Sequence, residues 1–155
     1  MKKKFFICGL SALLIGMVSC KTIQKETKVN DSTSVVSEEV NIVEKYWKLT
    51  ELFGEPVITS EGGREAYMML KKEDSRVTGN SGCNTFNGSF TMKPGNMISF
   101  SKTISTMMMC VNMDVESKLY QALEMADNYY SDGDKLVLNK ARMAPLARFE
   151  AVSAK

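Results

Sequence analysis

The stretch VTGNSGCNTFNGSF, residues 77–90, carries three glycines, three asparagines and one cysteine, and its reading decides the fold. Such a run fits a phosphate-cradling loop, a nucleophile turn or the joint between two strands. A phosphate loop needs Gly-Lys-Ser/Thr ahead of a helix, and here Ser89, Phe90, Thr91 and Met92 continue in strand-like alternation. A nucleophile elbow needs G-x-S-x-G, and Gly79, Asn80, Ser81, Gly82 and Cys83 fail at the last position. The strand joint remains. Asn87 and Gly88 predict a two-residue hairpin turn, because both turn positions of that type take positive φ. Phe86 and Phe90 are then candidate core residues.

Outward from this point the chain reads as short strands. Trp47 and Leu49, with Glu51 in the same phase, alternate with Lys48, Thr50 and Leu52 and lead to a turn at Phe53 and Gly54. Residues 66–71 and 76–79 read as strands, as do 97–100, 104–109, 135–139 and 146–152. Pro94 and Gly95 suit the centre of a type II turn. Between residues 114 and 127 the period changes. Val115, Leu119, Ala122, Leu123 and Ala126 fall on one helix face, Asp114 is placed to cap it, and Glu116 suits the first-turn dipole. Many short strands with one amphipathic helix predict a β-rich α+β domain. Its sheet is expected to be antiparallel and curled into a small barrel, with the helix covering one side.

The chain of 155 residues contains no histidine. Ser-His-Asp and Cys-His nucleophile systems, histidine zinc sites and histidine acid–base chemistry are therefore excluded. No carboxylate sits inside an apolar stretch where a raised pKa would suit proton transfer. The expectation is a protein that is not an enzyme, with no catalytic residue and no cofactor or metal. The remaining enzymatic route is a carboxylate, Tyr or Lys pair assembled in space.

The amino terminus carries Lys2, Lys3 and Lys4 ahead of a 14-residue apolar run, residues 5–18. That is short for a membrane span, which needs about 20 residues, and suits a signal peptide. The run ends Met17, Val18, Ser19, Cys20, which looks like a lipobox: residues 1–19 would be removed and Cys20 acylated. The other reading is an ordinary secreted protein with a cysteine there. Stable membrane attachment takes two or more acyl chains, at about 0.8 kcal/mol per buried methylene. Without residues 1–19 the chain has 17 basic and 18 acidic residues, a formal charge of −1, so no basic face for nucleic acid is expected. Residues 20–44 lack aromatics, glycine and proline and read as a tether. As a coil it reaches roughly 25–30 Å. The folded domain is expected over residues 45–152. The localisation expected is the cell envelope, with partners being the membrane and either an envelope protein or a small ligand.

Two cysteines remain in the domain, Cys83 and Cys110. In an oxidising compartment they are a disulfide candidate; separate buried thiols are the alternative. The run of Met107, Met108 and Met109 before Cys110 offers soft ligands for Cu(I), against core filling by methionine on a strand. A strand would point Met107 and Met109 one way and Met108 and Cys110 the other, leaving too few ligands on either face.

The cysteine-bearing runs resemble the META domain, also called the HslJ-like heat-shock domain. The pattern G-x-x-GCN-x-F-x-G-x-[YF] is met by Gly79, Gly82, Cys83, Asn84, Phe86, Gly88 and Phe90. The later S-T-x-M-x-C is met by Ser105, Thr106, Met108 and Cys110. Trp47 and Leu49 echo an opening W-x-L, and Glu116 with Leu119, Ala122 and Leu123 echoes a helix motif. Met107 stands where a basic residue is common, and residues 140–145 lack the usual glycine turn. The resemblance implies a small barrel-like domain, often in envelope lipoproteins linked to stress response, antibiotic tolerance and motility or virulence. It implies no agreed activity and no catalytic residues; the motif residues would be turn formers, core and a possible disulfide. A carrier of a small apolar ligand inside the curled sheet is the alternative, and a packed interior argues against it.

Overall fold

The computed structural model describes residues 41–59, 62–110 and 113–152. The expected signal peptide, the expected acylation site Cys20 and the expected tether up to residue 40 lie outside the described residues. Eight strands close a barrel in the order β1 (Tyr46–Leu52), β3 (Tyr67–Lys71), β4 (Arg76–Asn80), β5 (Thr85–Lys93), β6 (Met97–Phe100), β8 (Asn128–Ser131), β9 (Lys135–Asn139) and β10 (Ala147–Val152). Their pairings are antiparallel, and β10 returns to β1, with Tyr46 opposite Val152 and Leu52 opposite Ala147. Two short strands sit beside the ring: β2 (Glu55–Pro56) on β1 and β7 (Ile104–Ser105) on β5. The helix α1 (Asp114–Met125) packs against β1, β6 and β9. The β-rich barrel with one helix is the architecture expected from the alternation and the single change of period.

Alternate side chains fill the interior. Trp47, Met68, Leu70, Val77, Phe86, Leu136, Leu138 and Phe149 are fully or almost fully buried, and Leu119, Ala122 and Leu123 add the helix face. The volume where an interior ligand would sit is occupied by these side chains. Antiparallel closure leaves no free edge along the ring, which satisfies the backbone groups that an open sheet would expose.

Several local readings change. In β1 the register with β10 shifts between Leu49 and Glu51, so a bulge inverts the alternation. Leu52 is therefore the buried residue, while Glu51 faces outward and pairs with Arg148 at 3.0 Å. Asn87 and Gly88 make no turn; they lie inside the nine-residue β5, opposite Thr78 and Val77. Gly88 is needed for closeness instead, since a Cβ there would come within 3.2 Å of Thr103 and 3.3 Å of Val77. The turn expected at the end of the first strand does occur at Phe53 and Gly54, whose φ values are 50° and 86° and which join β1 to β2. Gly95 at φ 83° also matches its turn, with Asn96 at 57° beside it.

The strand expected over residues 104–109 stops at Ser105, and residues 106–110 run without regular structure. Asp114 is the first helical residue and not the cap: that position is Met113, with no side-chain cap hydrogen bond. The strand Asn128–Ser131 was not legible, being four residues with two adjacent tyrosines. The folded unit also begins before residue 45. Ile42 is fully buried, and its carbonyl accepts a 2.7 Å hydrogen bond from the Trp47 indole N–H.

Candidate functional site

The tip of the β4–β5 hairpin, not the middle of β5, is where the glycine-rich stretch reverses direction. Asn80 pairs with Thr85 across a four-residue loop, and the Ser81 N–H donates to the Asn84 carbonyl at 2.9 Å. Gly82 takes φ 95°, a left-handed value that side chains rarely adopt, and its N–H donates to Asn80 Oδ1 at 2.8 Å. Gly79 answers a different demand: a Cβ there would lie 2.1 Å from the Tyr67 carbonyl oxygen and 2.9 Å from the Phe86 ring.

Two links fasten this loop to residues 106–110. Cys83 and Cys110 form a disulfide with Cα atoms 6.0 Å apart, so the pairing reading holds over the separate thiols. It also removes the thiol from any soft-metal ligand set, and the methionines beside it do not fill the core. The second link is Asn84, 1% exposed, which uses both ends of its amide. Its Oδ1 accepts from Thr106 Oγ1 at 2.7 Å and from the Met108 N–H at 2.8 Å. Its Nδ2 donates to the Met108 carbonyl at 3.0 Å, so one side chain satisfies both backbone groups of Met108 as a strand neighbour would.

Glu116 completes the network, and sequence reasoning missed it. Its place in the first turn suggests only a dipole partner, whereas it is buried beneath the loop. Asn84 Nδ2 approaches Glu116 Oε1 at 3.1 Å and Oε2 at 3.0 Å, and the Asn84 backbone N–H reaches Oε2 at 3.2 Å. The Ser81 hydroxyl donates to the same oxygen. A signal was present, because Glu116, Leu119 and Leu123 stand at i, i+3 and i+7 and so share the apolar stripe. A buried carboxylate is costly unless its oxygens are hydrogen-bonded, and these donors meet that requirement. Ser81 and Glu116, the pair with the look of a nucleophile and base, are both buried and committed to this clamp.

The candidate site residues thus divide in two. Gly79, Gly82, Asn84, Phe86, Gly88, Thr106, Cys83 and Cys110 build the clamp and its supporting strands, together with the backbone of Met108; Trp47 lies in the core. Met107 and Met109 project from the clamped loop and are 98% and 97% exposed. Beside them lies a cleft of about 430 Å³, lined by Val57, Ile58, Ala66, Met108, Met109 and Val115 with Arg64 at its wall. A more open groove of about 700 Å³ runs past Ile42, Lys72, Phe90, Met92 and Tyr129, and of the motif residues only Phe90 lines it. Among the described residues, no group of three or more cysteine and carboxylate side chains is placed to hold a metal ion.

A closed β-barrel, one packed helix and a disulfide-fastened loop define the class. The META domain model matches residues 40–153, and the chain belongs to the META domain family. Among solved structures, the chain is similar to a protein from Burkholderia xenovorans studied by NMR, at 21% identity and a TM-score of 0.58. That match covers 82% of this chain and 99% of the other. A second NMR structure matches at 16% identity and a TM-score of 0.54, covering 68% of this chain and 87% of the other. Both likenesses bear on the fold alone. No curated protein matches.

Proposed function

We propose that the chain is a lipid-anchored envelope protein, acylated at Cys20, whose META domain acts by binding an envelope protein and not by catalysis. Its role would be scaffolding or maintenance of the envelope under stress. The observation that carries the reading is the division of labour at the clamp. The polar groups that could do chemistry are buried and saturated, while Met107 and Met109 are held almost fully in solvent. Exposed methionines suit contact surfaces because the flexible, polarisable thioether adapts to varied partners. The lipobox-like run and tether support placement at a membrane, with the domain free to reach roughly 25–30 Å from it.

The test is a photo-cross-linking residue at position 107 or 109 in intact envelopes, with one at Thr91 as the control. A defined partner captured from the loop and not from Thr91 is expected. Equal capture from all three positions, or none, overturns the binding reading. Cys20→Ala should release the protein from the membrane fraction; unchanged retention would overturn the anchor. A small apolar ligand in the cleft is the second reading, favoured by a volume within the usual range for small-molecule sites. Native mass spectrometry of envelope-purified protein decides it.

A further inference from the structure

Both thioethers that project from the clamped loop are chemically as well as sterically available. Met107 and Met109 are the most exposed large apolar side chains among the described residues, and neither belongs to the core. Among the described residues, no free thiol and no exposed indole competes, and the other methionines are less exposed, Met143 coming next at 61%. Cys83 and Cys110 are already joined, and the ring of Trp47 is fully buried. Thioether sulfur is thus the most readily oxidised group on this face.

We propose that Met107 and Met109 form a modification site for two-electron oxidants, peroxides and hypochlorous acid, and that their sulfoxidation turns the loop from an apolar to a polar contact face without unfolding the barrel. With hydrogen peroxide, the sulfur lone pair attacks one peroxide oxygen and the O–O bond breaks. The sulfur, oxidised by two electrons, keeps that oxygen as a sulfoxide, and the other oxygen leaves as water with both hydrogens. Reversal requires a dithiol reductant, which becomes a disulfide as the sulfoxide oxygen departs as water. The fold survives because the loop is held through its backbone and not through these side chains. Asn84 grips the two backbone groups of Met108, and the disulfide grips position 110. Met108 is half-shielded and Met68 is fully buried, so the chain carries its own internal scale of reactivity. The proposal deepens the binding reading above by giving that face a regulator.

The experiment uses the full chain with Cys20→Ser, purified without detergent, so its outcome does not depend on lipidation. After a limiting dose of hydrogen peroxide, tandem mass spectrometry locates each sulfoxide. Met107 and Met109 should oxidise ahead of Met143, which is 61% exposed, and at least roughly tenfold faster than Met68. The melting temperature should stay unchanged while retention on a phenyl resin falls. The M107Q/M109Q variant should show the reduced retention untreated and lose little more on oxidation. Met143 leading the order, a fall in melting temperature as the pair oxidises, or unchanged retention would each overturn the proposal. The cross-linking result judges the partner reading separately, since oxidation order is set by this chain alone.

Discussion

Asn84→Ala is the substitution that tests the clamp most directly. It strands the Thr106 hydroxyl, both backbone groups of Met108 and one donor to the buried Glu116. A neutral hydrogen bond contributes about 1 kcal/mol net, and one to a charged group about 1.5–3 kcal/mol. The four share one amide and are not additive, so the expected loss is about 3–5 kcal/mol. That is a large part of the 5–15 kcal/mol typical of a domain, roughly speaking. Urea unfolding followed by the fluorescence of the buried Trp47 measures it. Asn84→Asp sharpens the test because it preserves the acceptors for Thr106 and Met108 but presents oxygen, not N–H, to Glu116. It should also be destabilised. A loss below about 1 kcal/mol for the alanine variant, or wild-type stability for the aspartate variant, would refute the clamp.

Gly79→Ala should cost more than about 3 kcal/mol, because the new Cβ meets backbone at 2.1 Å, whereas Gly88→Ala should cost nearer 1 kcal/mol since its 3.2 Å neighbour is a side-chain methyl. Thermal melts of the two variants give the order. Replacing Cys83 and Cys110 by alanine opens a separation of 27 residues and should remove roughly 3–4 kcal/mol, with faster proteolytic cutting between residues 106 and 113. On acidification, Asp127 and Asp132 are informative. Asp127 is held below the usual carboxylate range by the Ala141 N–H and then by Asn128, and Asp132 by the Lys135 N–H. Lowered folded values mean that their stabilisation is full above the unfolded value and lost as pH falls through the folded one. The unfolding midpoint should therefore drop below about pH 4, and Asp127→Asn should flatten that slope.

Much of the fold follows from local pattern. Period-two alternation marked most strands, the switch to a helical period marked α1, and the paired glycine-and-cysteine runs marked the residues that meet in the clamp. Those signals are carried within a few residues, where backbone sterics and one buried face decide the outcome. Other features depend on neighbours distant in sequence. Asn87 and Gly88 have strong turn propensity, yet pairing of β5 with β4 on one side and β7 on the other holds them extended. The bulge after Leu49 exists because β1 must match β10 across the closing seam, and it alone puts Leu52 inside and Glu51 outside. Residues 106–110 carry strand-like composition, but both backbone groups of Met108 go to the Asn84 side chain and not to a strand neighbour, and Met107 and Met109 stand in solvent. Glu116 sat on the apolar stripe all along. Only the tertiary meeting of α1 with the hairpin tip supplies the donors that let a carboxylate stay buried there.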